Sequence, residues 1–175
     1  MELVRPTVRY KESFLDALRE YHQIDADDRL DIYELSVKNL HTGFSKYIQQ
    51  LLEESEGKHL PKGYVPQTTY WLVDGDAFIG RVSIRHTLTE HLLREGGHIG
   101  YDIRPSKREM GYGTKILQLA LPKAKALGID KALITCNETN TGSKKIIEAN
   151  DGVFENSVGM GEGNPRKLRY WISLQ

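Results

Sequence analysis

The sequence predicts an α/β fold in which a mixed, mostly antiparallel sheet of about seven strands is flanked by helices. Three observations carry this. Residues 68–73 and 78–84 are rich in β-branched and aromatic side chains and flank Asp74-Gly75-Asp76, a hairpin signal. An apolar run at 98–103 reaches Gly111 and Gly113 and then a helical pattern beginning at Thr114, which reads as strand, glycine turn, helix. Along the whole chain the order is strand, helices, three strands, helix, strand, helix, two strands, as expected of a sheet covered by helices.

Each element has its own signature. Residues 3–9 read as a first strand, confined by Pro6 to an edge or a strand end. Phe14, Leu15, Leu18 and Tyr21 recur at helical spacing. The acidic patch at residues 25–31 fails as a calcium loop, because Arg29 stands where an oxygen ligand is required. It reads as a solvated loop supplying helix caps, or as an acidic wall facing a cationic substrate. Phe44, Tyr47, Ile48, Leu51 and Leu52 give a second apolar helical face, a connector or lid ended by the breakers at 57–66.

After the hairpin, residues 87–97 are polar with interspersed leucines, and Gly96-Gly97 turns the chain into the next strand. The helix after the glycine loop should run to about Leu127 with a kink or break at Pro122, since an interior proline costs about 3 kcal/mol. Residues 132–136 read as a buried strand, 143–150 as a short helix, and 153–158 and 168–174 as two final strands.

Composition narrows the classes of function. At 175 residues the chain is expected to form one domain, residues 1–175, able to bury a core without staples. The 24 basic and 24 acidic residues cancel, so no global field favours nucleic acid or an anionic membrane, and neither is expected as a partner. Cys136 is the only cysteine, which excludes an internal disulfide. No apolar run approaches the roughly 20 residues of a membrane helix, so a soluble, cytoplasmic protein is expected. The six histidines lack metal-ligand spacing, and no metal is expected.

The most informative stretch is Arg108-Glu109-Met110-Gly111-Tyr112-Gly113. Glycines at a strand-to-helix joint let the first helical amides point outward together, and the helix dipole makes that end an anion site. A dinucleotide fingerprint would need glycine at Ile116, and a P-loop would need lysine before the hydroxyl residue rather than Thr114-Lys115. What remains, Arg-x-x-Gly-x-Gly, resembles the pyrophosphate loop of the GNAT superfamily of N-acetyltransferases. The element order is also similar to that family over most of the chain, most clearly from His98 to Gly152, and so implies an acyl-CoA N-acyltransferase-like fold.

The resemblance implies acetyl-CoA as co-substrate, with its diphosphate on the loop residues Arg108, Glu109, Met110, Gly111, Tyr112, Gly113 and Thr114. It also implies pantetheine pairing with the backbones of Ile103 and Arg104, and cofactor contacts from Asn140 and Ser143, residues that equally fit plain helix caps. Arg108 reads either as a solvated loop arginine or as a charge contact to phosphate.

Acetyl transfer needs an uncharged amine, a polarised carbonyl and an acid for the departing thiolate. Many relatives supply that acid from a tyrosine seven residues after the motif asparagine, where this chain has Ile147. Water or another tyrosine, such as Tyr101, is then required. Glu95, His98 and Glu138 are the candidate bases; all three also fit surface or capping roles. Catalytic candidates are therefore His98, Tyr101 and Glu138. Cys136 reads as a small buried thiol, not a nucleophile.

The expected function is N-acetylation of a primary amine, on a small molecule or a peptide, by direct attack in a ternary complex. The alternative is a catalytically inactive CoA-binding sensor or interaction module. A homodimer is left open.

Overall fold

Two short sheets share one core in the computed structural model, which describes residues 1–24 and 35–175. The acidic patch at 25–31 lies outside the described residues. Strands β1 (Glu2–Val4), β2 (Gln67–Asp74), β3 (Ala77–Arg85) and β4 (Ile99–Ile103) form an antiparallel sheet in that order. Strands β5 (Lys131–Asn137), β6 (Val153–Val158) and β7 (Lys167–Ser173) form a second, in the order β5-β7-β6. The seven expected strands are thus present, but divided between two sheets. The expected first strand stops at Val4, and Val8–Tyr10 is a 3-10 turn instead. Pro6, which has no N–H to donate, separates the two.

The sheets meet at one point. His98 donates its N–H to the carbonyl of Leu133 at 2.7 Å, and Leu133 donates its N–H to His98 Nδ1 at 2.9 Å. Past that point β4 pairs only with β3, and β5 only with β7. Gly97 makes the approach feasible: its φ is +66°, and a Cβ there would lie 2.6 Å from the Leu133 carbonyl oxygen. A helical turn of i→i+5 type, Leu92–Gly96, sits over β5, with Thr135 Oγ1 donating to the Glu95 carbonyl at 2.8 Å.

Among the described residues, four helices cover the sheets: α1 (Lys11–His22), α2 (Val37–Ser55), α3 (Tyr112–Ala126) and α4 (Thr141–Glu148). Helix α2 is longer than its apolar pattern suggested, and is no lid. Its Leu40, Phe44, Ile48 and Leu51 are buried with α1 against β2 and β3. The backbone leaves helical geometry once inside α2, at Gly43. Phe14 of α1 stacks on Trp71 at 4.9 Å and meets Phe78 and Phe44 edge-on at 5.0 and 5.6 Å.

The opposite face carries α3 and α4 over Val82, Ile84, Ile99, Ile103, Ile134, Cys136 and Tyr170. Helix α3 continues unbroken through Pro122, contrary to expectation. Pro122 and Gln118, whose carbonyl loses its donor, both lie on the exposed side, so water replaces the missing bond.

The strands β4 and β5 lead into α3 and α4 respectively, and the first turn of α3 packs on the second turn of α4: a Cβ on Gly113 would lie 2.4 Å from Ile146 Cδ1. Both strands thus run from the His98–Leu133 contact toward the helix pair. Replacing Phe14 with alanine should lower the unfolding free energy by about 3–5 kcal/mol, read as a lower urea midpoint with an unchanged denaturant slope.

Candidate active site

The glycine loop presents a cradle of amides. Gly111 is the N-cap of α3 with φ +82°, and no side chain caps this end of the helix among the described residues. The first intrahelical bond is from Lys115 N–H to the Gly111 carbonyl at 3.1 Å, so the amides of Tyr112, Gly113 and Thr114 have no intrahelical acceptor. A Cβ on Gly111 would meet nothing within 4 Å, which leaves room for a ligand against the loop. Glu109 also holds a left-handed φ of +61°, and Met110 is exposed. These residues fit a diphosphate, through three N–H donors at the positive end of a helix. The two glycines differ in reason: Gly111 provides the turn, whereas Gly113 provides the close approach of α3 to α4.

The open edge of β4 is narrower than the sequence reading had it. Arg104 N–H donates to the Ile79 carbonyl and Arg85 N–H to the His98 carbonyl, both at 2.8 Å. By antiparallel alternation, the even-numbered residues 98–104 are turned to β3, and Ile99, Tyr101 and Ile103 turn their backbone groups toward the cleft. Ile103 turns its backbone groups away from β3, and its carbonyl accepts from Arg108 Nε. Arg104 departs from the expected pairing: its N–H is used by β3, and its carbonyl accepts from Lys107 in the following turn. Its side chain, far from idle, bonds Glu20 of α1 at 2.8 and 2.7 Å.

Across the cleft, Tyr101 Oη lies 3.0 Å from Ser143 Oγ. Ser143 is in the first turn of α4, where its N–H donates to Asn140 Oδ1 at 2.9 Å. Asn140 is thus the N-cap, and Ser143 both donates its N–H to that cap and reaches the tyrosine. Burial raises the Tyr101 hydroxyl well above its ordinary range, so it stays protonated. Ile147 is fully buried in the core.

The other face of β4 carries charge that the sequence reading passed over. Asp102, next to Tyr101 and so pointing to the opposite face, meets Arg108 Nη2 at 3.1 Å. Burial raises its carboxyl above the usual range, against the opposing pull of Arg108 and Arg81. The available signal was an ionisable residue inside an apolar strand. Arg108, expected at the anion site, turns back to β4, and its Nε donates to the Ile103 carbonyl at 3.0 Å.

The three catalytic candidates are engaged in separate contacts. His98 uses its Nδ1 lone pair on Leu133, which assigns the proton to Nε2. Burial, then Arg85, lowers its proton affinity. Glu138 Oε1 accepts from Arg166 N–H at 3.0 Å, and Glu138 N–H donates to the Arg166 carbonyl at 2.9 Å, clasping the β6–β7 loop. That clasp borders a cleft of about 540 Å³ lined by Glu138, Thr139, Gly163, Asn164 and Pro165. No group of three or more potential metal ligands occurs among the described residues, and no described helix is long and apolar enough to cross a membrane.

With this geometry in place, comparison with known proteins assigns the class. The family described as "Acetyltransferase (GNAT) domain" matches residues 17–153, well over half of the chain. The protein belongs to the GNAT acetyltransferase family, and acetyl-CoA is its co-substrate. Curated protein sequences give no match.

Among solved structures, the chain is similar to RimL, a ribosomal L7/L12 alpha-N-protein acetyltransferase in complex with coenzyme A. The TM-score is 0.71 and the identity 16%, over 98% of this chain and 93% of that one. It is similar to the microcin C7 self-immunity acetyltransferase MccE, in complex with acetyl-CoA and AMP, at TM-score 0.71 and 13% identity over 98% and 91%. A chimera of the spermidine N-acetyltransferase SpeG from Vibrio cholerae and hSSAT gives 0.63 and 14% over 99% and 97%. At these identities the likeness is one of fold.

The His98 contact predicts a pH dependence of stability. A histidine whose folded-state proton affinity is lowered contributes stability that is complete above its unfolded value of about 6.5 and lost as pH falls through the lower folded value. His98→Phe removes the acceptor of a buried N–H, costing about 1–3 kcal/mol at pH 8. Urea midpoints should then fall less between pH 8 and pH 5 in the variant than in the wild type; His86, shifted the same way by burial, supplies the remainder.

Proposed function

We propose that this protein N-acetylates a primary amine by direct attack of the amine on acetyl-CoA. The observation that carries the reading is the amide cradle of Tyr112, Gly113 and Thr114 beside the open Gly111. In this reading the diphosphate is held there, and the pantetheine arm lies along the edge of β4 turned away from β3, at Tyr101 and Ile103. Asn140 and Ser143 border the same arm from α4.

The chemistry follows from what faces the cleft. Amides at the helix ends and along β4 are donors for a polarised thioester carbonyl. The Tyr101 hydroxyl, kept protonated by burial and bonded to Ser143, donates to the departing thiolate, the task given elsewhere in the family to the tyrosine that Ile147 replaces. Cys136 is buried on the core face of β5, and direct attack requires no acyl-enzyme. His98 pins the two sheets and Glu138 holds the β6–β7 loop, so neither is assigned the base. The acceptor enters from the side bordered by that loop and the helical turn at Leu92–Gly96, which Arg94 joins through the Gly159 carbonyl at 3.0 Å. The structural neighbours acetylate a protein amino terminus or spermidine according to their names, and both kinds of amine belong in a first substrate panel.

The replacement at Ile147 favours one other reading, a coenzyme A-binding module without turnover. Tyr101→Phe separates the two. Acceptor-dependent thiol release that falls by about 10²-fold in this variant, with acetyl-CoA affinity unchanged, supports the enzyme. Binding without release for any amine, at any pH, supports the module.

Gly111→Asp tests the loop itself. Aspartate tolerates a left-handed φ and meets open space here, so the fold should persist, whereas its charge in the anion cradle should weaken acetyl-CoA binding at least 100-fold by calorimetry. Gly111→Asn is the neutral control and should lose less than tenfold. Equal binding by both variants would remove the diphosphate from this loop.

A further inference from the structure

The side chain of Arg108 belongs to the loop but is spent on the strand. Its Nε donates to the Ile103 carbonyl at 3.0 Å, and its Nη2 meets Asp102 Oδ1 at 3.1 Å. Its guanidinium lies 6.0 Å from the centre of the Tyr21 ring. The Asp102 side chain is 10% exposed and that of Arg108 40%, so the guanidinium is the outer cover of the carboxylate.

Both anchors are groups that acetyl transfer needs. Ile103 offers a carbonyl on the open edge of β4, and Asp102 offers a carboxylate on the acceptor face, one residue from the Tyr101 hydroxyl on the opposite face. The natural competitor for a guanidinium is a diphosphate. The amides assigned to that diphosphate begin four residues beyond Arg108.

We propose that Arg108 is a strap that acetyl-CoA displaces: the diphosphate draws its guanidinium from Ile103 and Asp102, and the uncovered Asp102 carboxylate receives the ammonium of the acceptor. This rests on the reading that the glycine loop holds the diphosphate. The proton balance is complete. The acceptor ammonium loses two protons as its C–N bond forms and the C–S bond breaks; one goes to Asp102 and on to solvent, and one ends on the coenzyme A sulfur by way of Tyr101. The order of events follows too, because the acceptor's docking group is uncovered only after the cofactor has bound.

The strap predicts linked proton uptake. Besides Arg108, Asp102 is acted on by Arg81, its register partner on β3; Arg85 of β3 and His98 and Arg104 of its own strand lie on the same face, and Glu20 of α1 reaches that face through Arg104. Losing the nearest cation makes the carboxylate hold its proton more strongly, so coenzyme A binding should take up protons and strengthen as pH falls through the carboxylate's titration. Coenzyme A is titrated by calorimetry from pH 4.5 to 7.5 in two buffers of different ionisation heat, into wild type, Asp102→Asn and Arg108→Gln.

The expected result is wild-type proton uptake in excess of both variants, with coenzyme A about fivefold tighter to Asp102→Asn at pH 7.5 because the strap has lost an anchor. The phosphate of coenzyme A titrates alike in all three and cancels. Wild-type affinity and uptake in Asp102→Asn, or wild-type uptake in Arg108→Gln, would overturn the strap. The Arg108 side chain, more exposed than that of Asp102, keeps the test available should Asp102→Asn not fold. Failure of wild type to bind coenzyme A removes the loop reading itself, an outcome distinct from binding that is indifferent to Asp102.

Discussion

Two hydrogen bonds between His98 and Leu133 join the edges of two sheets that share a core, and the site depends on where they stop. A continuous ladder between β4 and β5 would bury the backbone of Tyr101 and Ile103 in the pairing. With only the first residues joined, the two strands diverge and leave polar backbone along a cleft. Unpaired backbone groups are costly when buried, so a cleft edge of this kind is sustained by solvent or by a ligand that pairs in place of a strand. Gly97 is part of the same device, since any side chain there would collide with the Leu133 carbonyl.

From that divergence the other parts of the site take their places. Both strands run into helices: Gly113 lets the first turn of α3 pack on Ile146 in the second turn of α4, and Asn150, just past α4, ties the two further, donating to the Ile146 carbonyl at 2.9 Å and to the Thr114 carbonyl at 3.3 Å, while the first turn of α4 reaches β4 through Ser143 and Tyr101. The anion cradle of α3 and the capped first turn of α4 therefore border one cleft. The pleat of β4 then sorts adjacent residues: Tyr101 faces α4 and Ser143, while Asp102 faces Arg108 on the opposite side.

The helices α1 and α2 do more than close the core. Glu20 receives two bonds from Arg104 and one from the Ser106 N–H, which outweigh its burial and hold its carboxyl below the usual range. That contact fixes the segment between β4 and the glycine loop to α1. The glycine loop is thus anchored to α1, and Arg108, whose guanidinium lies 6.0 Å from the Tyr21 ring centre, adds a second link between the same parts.

The sequence by itself determined which segments become strands and helices, because periodicity of burial and the glycine, proline and capping residues are local signals. The hairpin at Asp74-Gly75-Asp76, the amide cradle at Gly111 and the cap at Asn140 were legible for that reason, and Arg-x-x-Gly-x-Gly pointed to the family. Only the tertiary structure decided how those pieces are used. Strand alternation relative to β3 cannot be read from β4 alone, so Ile103 and Arg104 looked equivalent until the register separated them. The direction of a long side chain is likewise set by partners distant in sequence: Arg108 turned to Asp102, Arg104 to Glu20, and His98 to Leu133. A local pattern names a residue's conformation, whereas its chemistry here depends on which charge or carbonyl the fold delivers to it.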